Sequence, residues 1–173
     1  MIAERPTVTG IAWPRCLEQY GAADTYRLAA EWLKECRTVA DWGGASGHFR
    51  SYLPPDVMYT LVDGTLQTSD QVLANLTTYT VPSEGILLRH VLDNTHDWQP
   101  ILLNALAAFR RRMVVVTFVP PGPTTKRIEH RNGWPYWQFN PNDLRVLMGP
   151  LLVRDESVAT THPEHVFFLE RQS

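Results

Sequence analysis

Seven consecutive residues, Asp41-Trp42-Gly43-Gly44-Ala45-Ser46-Gly47, combine an acid with three glycines. Glycine admits positive φ and lets the backbone approach a ligand closely. Such a loop can cradle a polar small molecule when it follows a strand and opens a helix. Asp63 stands 22 positions after Asp41, at the end of the next apolar run, where a carboxylate can accept both hydroxyls of a ribose. Alone, Gly43 to Gly47 would serve as an ordinary tight turn, and it is the pairing with Asp63 that points to a nucleotide-type site. The dinucleotide pattern G-x-G-x-x-G, begun at Gly43, fails at Ala45 and His48, and no Gly-Lys-Ser or Gly-Lys-Thr marks a phosphate loop. The pattern D-x-G-x-G-x-G does fit, through Asp41, Gly43 and Gly47, with Ala45 in place of the middle glycine.

His90 interrupts the end of the apolar run 85–92, and Asp93 and His96 follow it. Histidine can take a proton near neutral pH, so the three are candidates for acid–base work. The competing readings are a structural role for His90 and a solvated, helix-capping loop for Asp93 and His96. The stretch 120–139 adds Lys126, Arg127, His130 and Arg131 to Trp134, Tyr136 and Trp137. Cations beside flat apolar rings can clamp an anionic or planar ligand, or stack a base. Alternatively, Trp134 and Trp137 pack as a lid on the core. The histidines show no metal-ligand spacing: His90 and His96 are not one helical turn apart, and His162 and His165 have no cysteine beside them. No metal is expected.

The elements that must hold these residues follow from periodicity. Apolar residues at three- and four-residue steps predict a helix over 22–36, and 38–42 is a short strand ended by Gly43 and Gly44. A short helix through Tyr52 stops at Pro54 and Pro55. The run 58–62 is a strand, 66–76 a helix, and 85–92 a strand buried on both faces. Asp97 caps a helix over 98–109, with Arg110, Arg111 and Arg112 at its C-terminal end as favourable cations. The run 113–119 is a strand, 120–139 a long irregular loop, and Asn140-Pro141 starts a helix that Gly149-Pro150 ends. Runs 151–155 and 165–170 form an antiparallel edge pair. Alternating strands and helices imply a parallel sheet covered on both faces, with the ligand crevice outside the carboxyl ends of its strands.

The chain has 173 residues, 44% hydrophobic and 20% charged, with 16 Lys and Arg against 18 Asp and Glu. It reads as one domain, 1–173, with an N-terminal extension over 1–21 in which Trp13 and Tyr20 could cover a ligand. A net charge of −2 gives no general attraction to nucleic acid or anionic membrane, while leaving nucleic acid open as a partner. No run approaches the roughly 20 apolar residues of a membrane span, and the N-terminus lacks a signal-peptide pattern. Two isolated cysteines, Cys16 and Cys36, suit a reducing compartment, so a cytoplasmic location is expected.

The segment Val39-Ala40-Asp41-Trp42-Gly43-Gly44-Ala45-Ser46-Gly47-His48-Phe49 resembles the first motif of the class I S-adenosylmethionine-dependent methyltransferases, and Tyr59-Thr60-Leu61-Val62-Asp63 resembles the second. Ile86-Leu87-Leu88-Arg89-His90-Val91-Leu92-Asp93-Asn94 is similar to the segment after the fourth strand. The resemblance covers about residues 22–170, and its first two motifs are the specific ones. It implies a Rossmann-like α/β fold, a doubly wound, mainly parallel sheet with an antiparallel C-terminal edge pair. It also implies S-adenosyl-L-methionine as cofactor. Asp41, Trp42, Gly43, Gly44, Ala45 and Gly47 would hold the methionine part, Asp63 and Gly64 the ribose, and Arg89 and His90 the fourth-strand side. His90, Asp93 and His96 would be the catalytic candidates; His130, Arg131, Trp134 and Trp137 would bind the methyl acceptor. Neither the amino-methylating Pro-Pro-Tyr motif after the fourth strand nor a Pro-Cys pair is present, which favours a small-molecule O or N acceptor. The alternatives are a non-catalytic, degenerate domain acting by protein contact and an RNA or protein methyltransferase. Two features depart from the family pattern. Ala45 adds a methyl group at a close approach, and the interval 63–85 leaves the third strand reduced or missing, with 77–81 as its remnant and no assignable adenine contact. The acceptor and the oligomeric state are not fixed by the sequence.

Overall fold

The computed structural model describes residues 7–8, 23–118, 120–129, 135–159 and 163–172. A seven-stranded sheet forms its centre. In chain order the elements are α1 (Ala23–Leu33), β1 (Thr38–Trp42), β2 (Met58–Asp63), β3 (Val72–Leu73), β4 (Ser83–Arg89), α2 (Trp98–Ala108) and β5 (Phe109–Thr117). There follow β6 (Lys126–Glu129), β7 (Pro135–Gln138), α3 (Pro141–Met148), β8 (Leu152–Val158) and β9 (Glu164–Glu170). The sheet order is β3-β2-β1-β4-β5-β9-β8, with β6 and β7 a separate pair. Strands β1 to β5 run parallel, and β9 lies antiparallel between β5 and β8. The chain leaves β1 in one direction through β2 and β3, then returns to β4 on its other side. The switch point therefore falls between the tips of β1 and β4, where an open α/β sheet forms its ligand crevice.

Alternation along the strands sorts side chains to two cores. Ala40, Trp42, Ile86, Leu88, Met113, Val115, Phe167 and Leu169 face α2 and α3, meeting Ile101, Leu102, Ala105, Leu144 and Met148. Val39, Leu87, Val114, Val116, Val166 and Phe168 face α1, whose Tyr26, Ala29, Ala30 and Leu33 form the buried stripe. Both faces are covered, as the apolar runs predict.

Several local expectations are corrected. No helix forms over 66–76. The Gln71 side chain accepts from the amides of Gln67 (2.6 Å) and Thr68 (2.9 Å) and donates to the Thr65 carbonyl (2.9 Å). These bonds give the backbone a non-helical solution, and β3 follows at once. The third strand is thus reduced but present at Val72–Leu73. The residues 77–81 form no strand; Asn75 Oδ1 accepts from the Thr77 amide (3.0 Å) and hydroxyl (2.8 Å), which turns the chain. Arg110, Arg111 and Arg112 belong to β5, not to the end of α2. Arg111 and Arg112 pair with Glu35, and Arg112 also with Glu170, while Arg110 still donates to the Ala107 carbonyl at 3.3 Å. Asp97 precedes α2 without a side-chain capping bond. The stretch 120–139 contains a hairpin, β6 with β7, instead of an irregular loop. Asn140 caps α3 as expected, its side chain accepting from the Asn142 amide at 3.0 Å.

Candidate active site at the β1–β4 switch point

Beyond β1 the backbone turns through three left-handed residues, Gly43 (φ 75°), Ala45 (φ 49°) and Gly47 (φ 73°). Glycine carries the first and last without strain. Ala45 stands where the D-x-G-x-G-x-G pattern has glycine, in a conformation that costs an L-residue about 1–2 kcal/mol. At Gly44 a Cβ would collide with the Asp41 carboxylate, so the loop folds back on its own acid. The Ala45 amide donates to Asp63 Oδ2 at 3.1 Å, and the Thr65 amide donates to Oδ1 at 2.8 Å. A carboxylate offers about four lone-pair positions, so two amide bonds leave acceptor capacity for hydroxyl groups. Burial pushes the Asp63 carboxyl upward, partly offset by those amides.

Asp41 is buried on the α1 side, and Tyr59 donates to its Oδ2 at 2.7 Å. Burial drives its carboxyl up to about 7, against the opposing effects of the Tyr59 bond and the Arg89 charge. Trp42 is wholly buried against α2, edge-on to Tyr79 at 5.1 Å, and its Nε1 has no hydrogen-bond partner among the described residues. Residues 7–8 reach the same corner: the Val8 amide and the Thr7 hydroxyl both donate to the Gly64 carbonyl at 2.9 Å. The tip of β3 also lies here, with the Ala74 amide donating to the Asp63 carbonyl at 3.0 Å.

Across the switch point, β4 ends in a buried polar cluster. The Arg89 guanidinium lies over the Tyr26 ring (4.1 Å), its Nε donates to Thr25 Oγ1 (3.1 Å), and its Nη2 lies 3.0 Å from Glu164 Oε1. His90 Nε2 lies 3.0 Å from that same oxygen. His90 is itself left-handed, φ 57°, held by its amide on the Val116 carbonyl (2.9 Å) and by Asn94 Nδ2 on its own carbonyl (2.8 Å). Burial pushes the imidazole below its ordinary value, so the ring is neutral near pH 7.

The other expected site residues separate. Asp93 is fully buried and accepts from the Phe118 amide at 2.6 Å, tying the tips of β4 and β5 together. His96 is exposed beyond the turn that follows. The solvated-loop reading therefore describes His96 and not Asp93. Trp137 on β7 donates through Nε1 to the Thr95 carbonyl (2.8 Å) and meets Trp98 edge-on (6.2 Å). Tyr136 meets Phe118 (6.3 Å), and Phe118 meets His90 (5.1 Å). An aromatic path thus runs from the hairpin to the histidine. Trp137 is half-buried against the α2-side core, as the lid reading anticipates. His130, Arg131, Trp134, Trp13 and Tyr20 lie outside the described residues.

Sequence reasoning missed Glu164. The only signal it carried was an acid at the start of a strand, and its partners lie 74 and 75 positions away. A shallow cleft among Arg37, Arg110, Arg111, Arg171, Glu35 and Glu84 sits at the opposite end of the sheet. There Arg37 pairs with Glu84 and Arg111 with Glu35, while Arg110 and Arg171 donate to backbone carbonyls, so it is no rival to the switch point. Among the described residues, no group of three or more His, Cys, Asp or Glu could hold a metal ion, and no helix is long and apolar enough to cross a membrane.

No protein-family description matches the chain, and no curated protein matches it in sequence. Solved structures do match. The chain is similar to 1,6-didemethyltoxoflavin-N1-methyltransferase of Burkholderia thailandensis, solved with 1,6-didemethyltoxoflavin and S-adenosylhomocysteine. The TM-score is 0.70 at 17% identity, over 86% of this chain and 78% of that one. It is similar to the N-methyltransferase NodS of Bradyrhizobium japonicum with S-adenosylhomocysteine, at TM-score 0.61 and 10% identity over 87% of each chain. It is also similar to magnesium protoporphyrin IX methyltransferase of Synechocystis with S-adenosylhomocysteine, at TM-score 0.59 and 14% identity, over 86% of this chain and 83% of that one. The fold is that of the class I S-adenosylmethionine-dependent methyltransferases.

Proposed function

From that fold, we propose that the protein is an S-adenosylmethionine-dependent methyltransferase acting on an O or N atom of a small molecule. One observation carries the reading: a loop with three left-handed residues and two buried carboxylates meets the switch point of the sheet. The glycines let this loop pack directly on the protein's own side chains, since a Cβ would meet Val91 at Gly43 and the Asp41 carboxylate at Gly44, and they bring bare main chain to the switch point, which fits a ligand bound against main chain. When bound, the cofactor supplies an electrophilic methyl group on a sulfonium. Gly43, Gly44, Ala45 and Gly47 hold its amino-acid part with main-chain groups, and Trp42 and Asp41 shape the floor beneath them. Asp63 receives ribose hydroxyls on its remaining acceptor positions, with Gly64 beside it. Ala74 and Asn75, at the tip of β3, border the adenine, a contact the sequence left unassigned.

Methyl transfer to a hydroxyl or amine also requires that a proton leave the acceptor. His90 is the base: buried, neutral near pH 7 and at the tip of β4. Phe118, Tyr136 and Trp137 give the acceptor side flat apolar surface, which suits a planar acceptor, with Asp93 holding Phe118 in place. His130, Arg131 and Trp134 remain candidates for the same side, His96 for its rim. Positioning supplies most of what a protein contributes to an in-line displacement. Methylation of planar phenols and N-heterocycles by the purified protein with labelled S-adenosylmethionine tests the reading. Transfer to a member of that set is the expected result. S-adenosylmethionine binding with transfer to none of them, in an active-site-saturating assay, would argue against a planar acceptor.

A further inference from the structure

On the other face of β9, away from the cofactor loop, three side chains form a hydrogen-bonded series that methyl transfer does not use. His165 follows Glu164 in the strand and so points to the α3 side, with Phe167 and Leu169. Ser157 of β8 stands directly opposite His165 in the register, and Asp155 is two positions before it on the same strand. Asp155 Oδ2 lies 2.7 Å from His165 Nε2, and Ser157 Oγ lies 2.9 Å from His165 Nδ1. Arg145 of α3 holds the acid, donating to Oδ2 from Nη2 at 2.6 Å and from Nε at 3.1 Å. Burial raises the Asp155 carboxyl, but the Arg145 and His165 bonds more than offset this and hold it below the usual carboxylate range. An ionised carboxylate only accepts hydrogen bonds, so Nε2 carries the ring proton. In the neutral imidazole Nδ1 then holds the lone pair, and the Ser157 hydroxyl donates to it. The Phe167 ring, 4.7 Å from the imidazole, packs beside it.

Stability does not require the last bond in the series. His165 is buried and Asp155 half-buried, so each needs the other, but Ser157 is exposed, where water would satisfy its hydroxyl nearly as well. The series therefore leads from a guanidinium through an acid and an imidazole to a hydroxyl that solvent reaches. That order activates serine in hydrolases, where the acid holds Nδ1 and the hydroxyl faces Nε2; here the two ring nitrogens are exchanged. Among the described residues β8 is also the outermost strand of the sheet. An edge strand presents amides with no partner in the sheet, the type of donor that stabilises an acyl oxyanion. We propose that Ser157 is the nucleophile of a second reactive site, with His165 as its base and Asp155 as the positioning residue, and that it accepts acyl groups from activated esters. The Ser157 O–H bond breaks, its proton passes to His165 Nδ1, and Oγ bonds to the ester's carbonyl carbon. The ester C–O bond then breaks with its electron pair on the leaving alcohol, which takes the proton from Nδ1. Ser157 is left as an ester, and Asp155 has balanced the imidazolium formed in between.

Treatment of the full chain with p-nitrophenyl acetate, followed by peptide mass spectrometry, tests this. Ser51 is the internal control, an exposed serine whose hydroxyl donates to the His48 carbonyl instead of to an imidazole. Ser157 should be acetylated roughly 100-fold faster than Ser51, the lower end of what a positioned base contributes. His165→Gln should bring the Ser157 rate down to that of Ser51. The wild-type rate should follow the titration of His165 measured by NMR on the same samples, and Asp155→Asn should slow the reaction and move the pH profile and the titration together. Acetylation of Ser157 no faster than that of Ser51 in the wild type would overturn the proposal, and this needs no variant to fold. So would an undiminished rate in a His165→Gln protein whose thermal melt shows it folded. An Asp155→Asn protein with the wild-type rate and profile would refute the positioning role of Asp155.

Discussion

The two sides of the crevice are assembled from different ranges of sequence. On the β1–β2 side, Asp41, the loop to Gly47, Tyr59 and Asp63 fall within 23 residues and bond to one another, Ala45 to Asp63 and Tyr59 to Asp41. On the β4–β5 side, Arg89 and His90 meet Glu164, Asp93 meets Phe118, and Trp137 meets Thr95. With Thr25 and Tyr26 of α1 on Arg89, those contacts join five segments spread from α1 to β9. The first side is a local unit that a short motif can specify. The second depends on the whole sheet, including its last strand, so it can vary while the cofactor loop stays the same.

That contrast can be broken by substitution, and the largest effect belongs to the local unit. Gly44→Val places a side chain against the Asp41 carboxylate. Affinity for S-adenosylhomocysteine should fall by roughly two orders of magnitude or more, with a lowered Tm, read by calorimetry and thermal melts. Retained affinity would mean the loop is not the cradle. Next, Asp63→Ala removes charged acceptors that contribute about 1.5–3 kcal/mol, which corresponds to an affinity loss of roughly 10- to 150-fold. His90→Ala, on the other side, should change cofactor affinity by much less. Equal losses would erase the division of the site into two halves.

A subtler effect concerns the buried acid beneath the loop. Asp41 titrates near 7 in the folded protein against 3.8 as an ordinary aspartate. The unfolded chain therefore binds fewer protons than the native one between those values, and the contribution of this group to stability falls as pH rises. It is fully present below about pH 4 and lost by about pH 7. The stability difference between wild type and Asp41→Asn should therefore drift against the wild type over that window, by roughly 1–4 kcal/mol. Urea melts at several pH values measure it, and a flat difference would mean Asp41 stays ionised through contacts other than those described. The smallest effect is expected from Ala45→Gly, which relieves a left-handed alanine and should stabilise the fold by about 1 kcal/mol in the same melts. An unchanged or lowered stability would show that the alanine methyl contributes packing that outweighs the strain.

The same contrast explains what was legible beforehand. The loop, Asp63, a parallel sheet covered on both faces and the antiparallel pair follow from glycine spacing and apolar alternation, which are local signals, while the doubly wound arrangement is what the family resemblance implies. The helix expected over 66–76 failed because Gln71 captures the backbone of Gln67 and Thr68, a side-chain competition that apolar spacing does not register. Arg110 to Arg112 looked like helix-end cations because the partners of Arg111 and Arg112, Glu35 and Glu170, lie far away in sequence. Glu164 carried no more than an acid at the start of a strand, since what marks it is burial against Arg89 and His90. The acceptor-side residues are the hardest to read for that reason: their chemistry exists only once the sheet has closed.

Cofactor binding is the most direct test of the central claim. Titration of the protein with S-adenosylhomocysteine in a calorimeter should give saturable heat at one ligand per chain, weakened far more by Asp63→Ala than by His90→Ala. No heat and no thermal shift at about millimolar ligand would contradict the methyltransferase reading, leaving a fold of that family put to a different use.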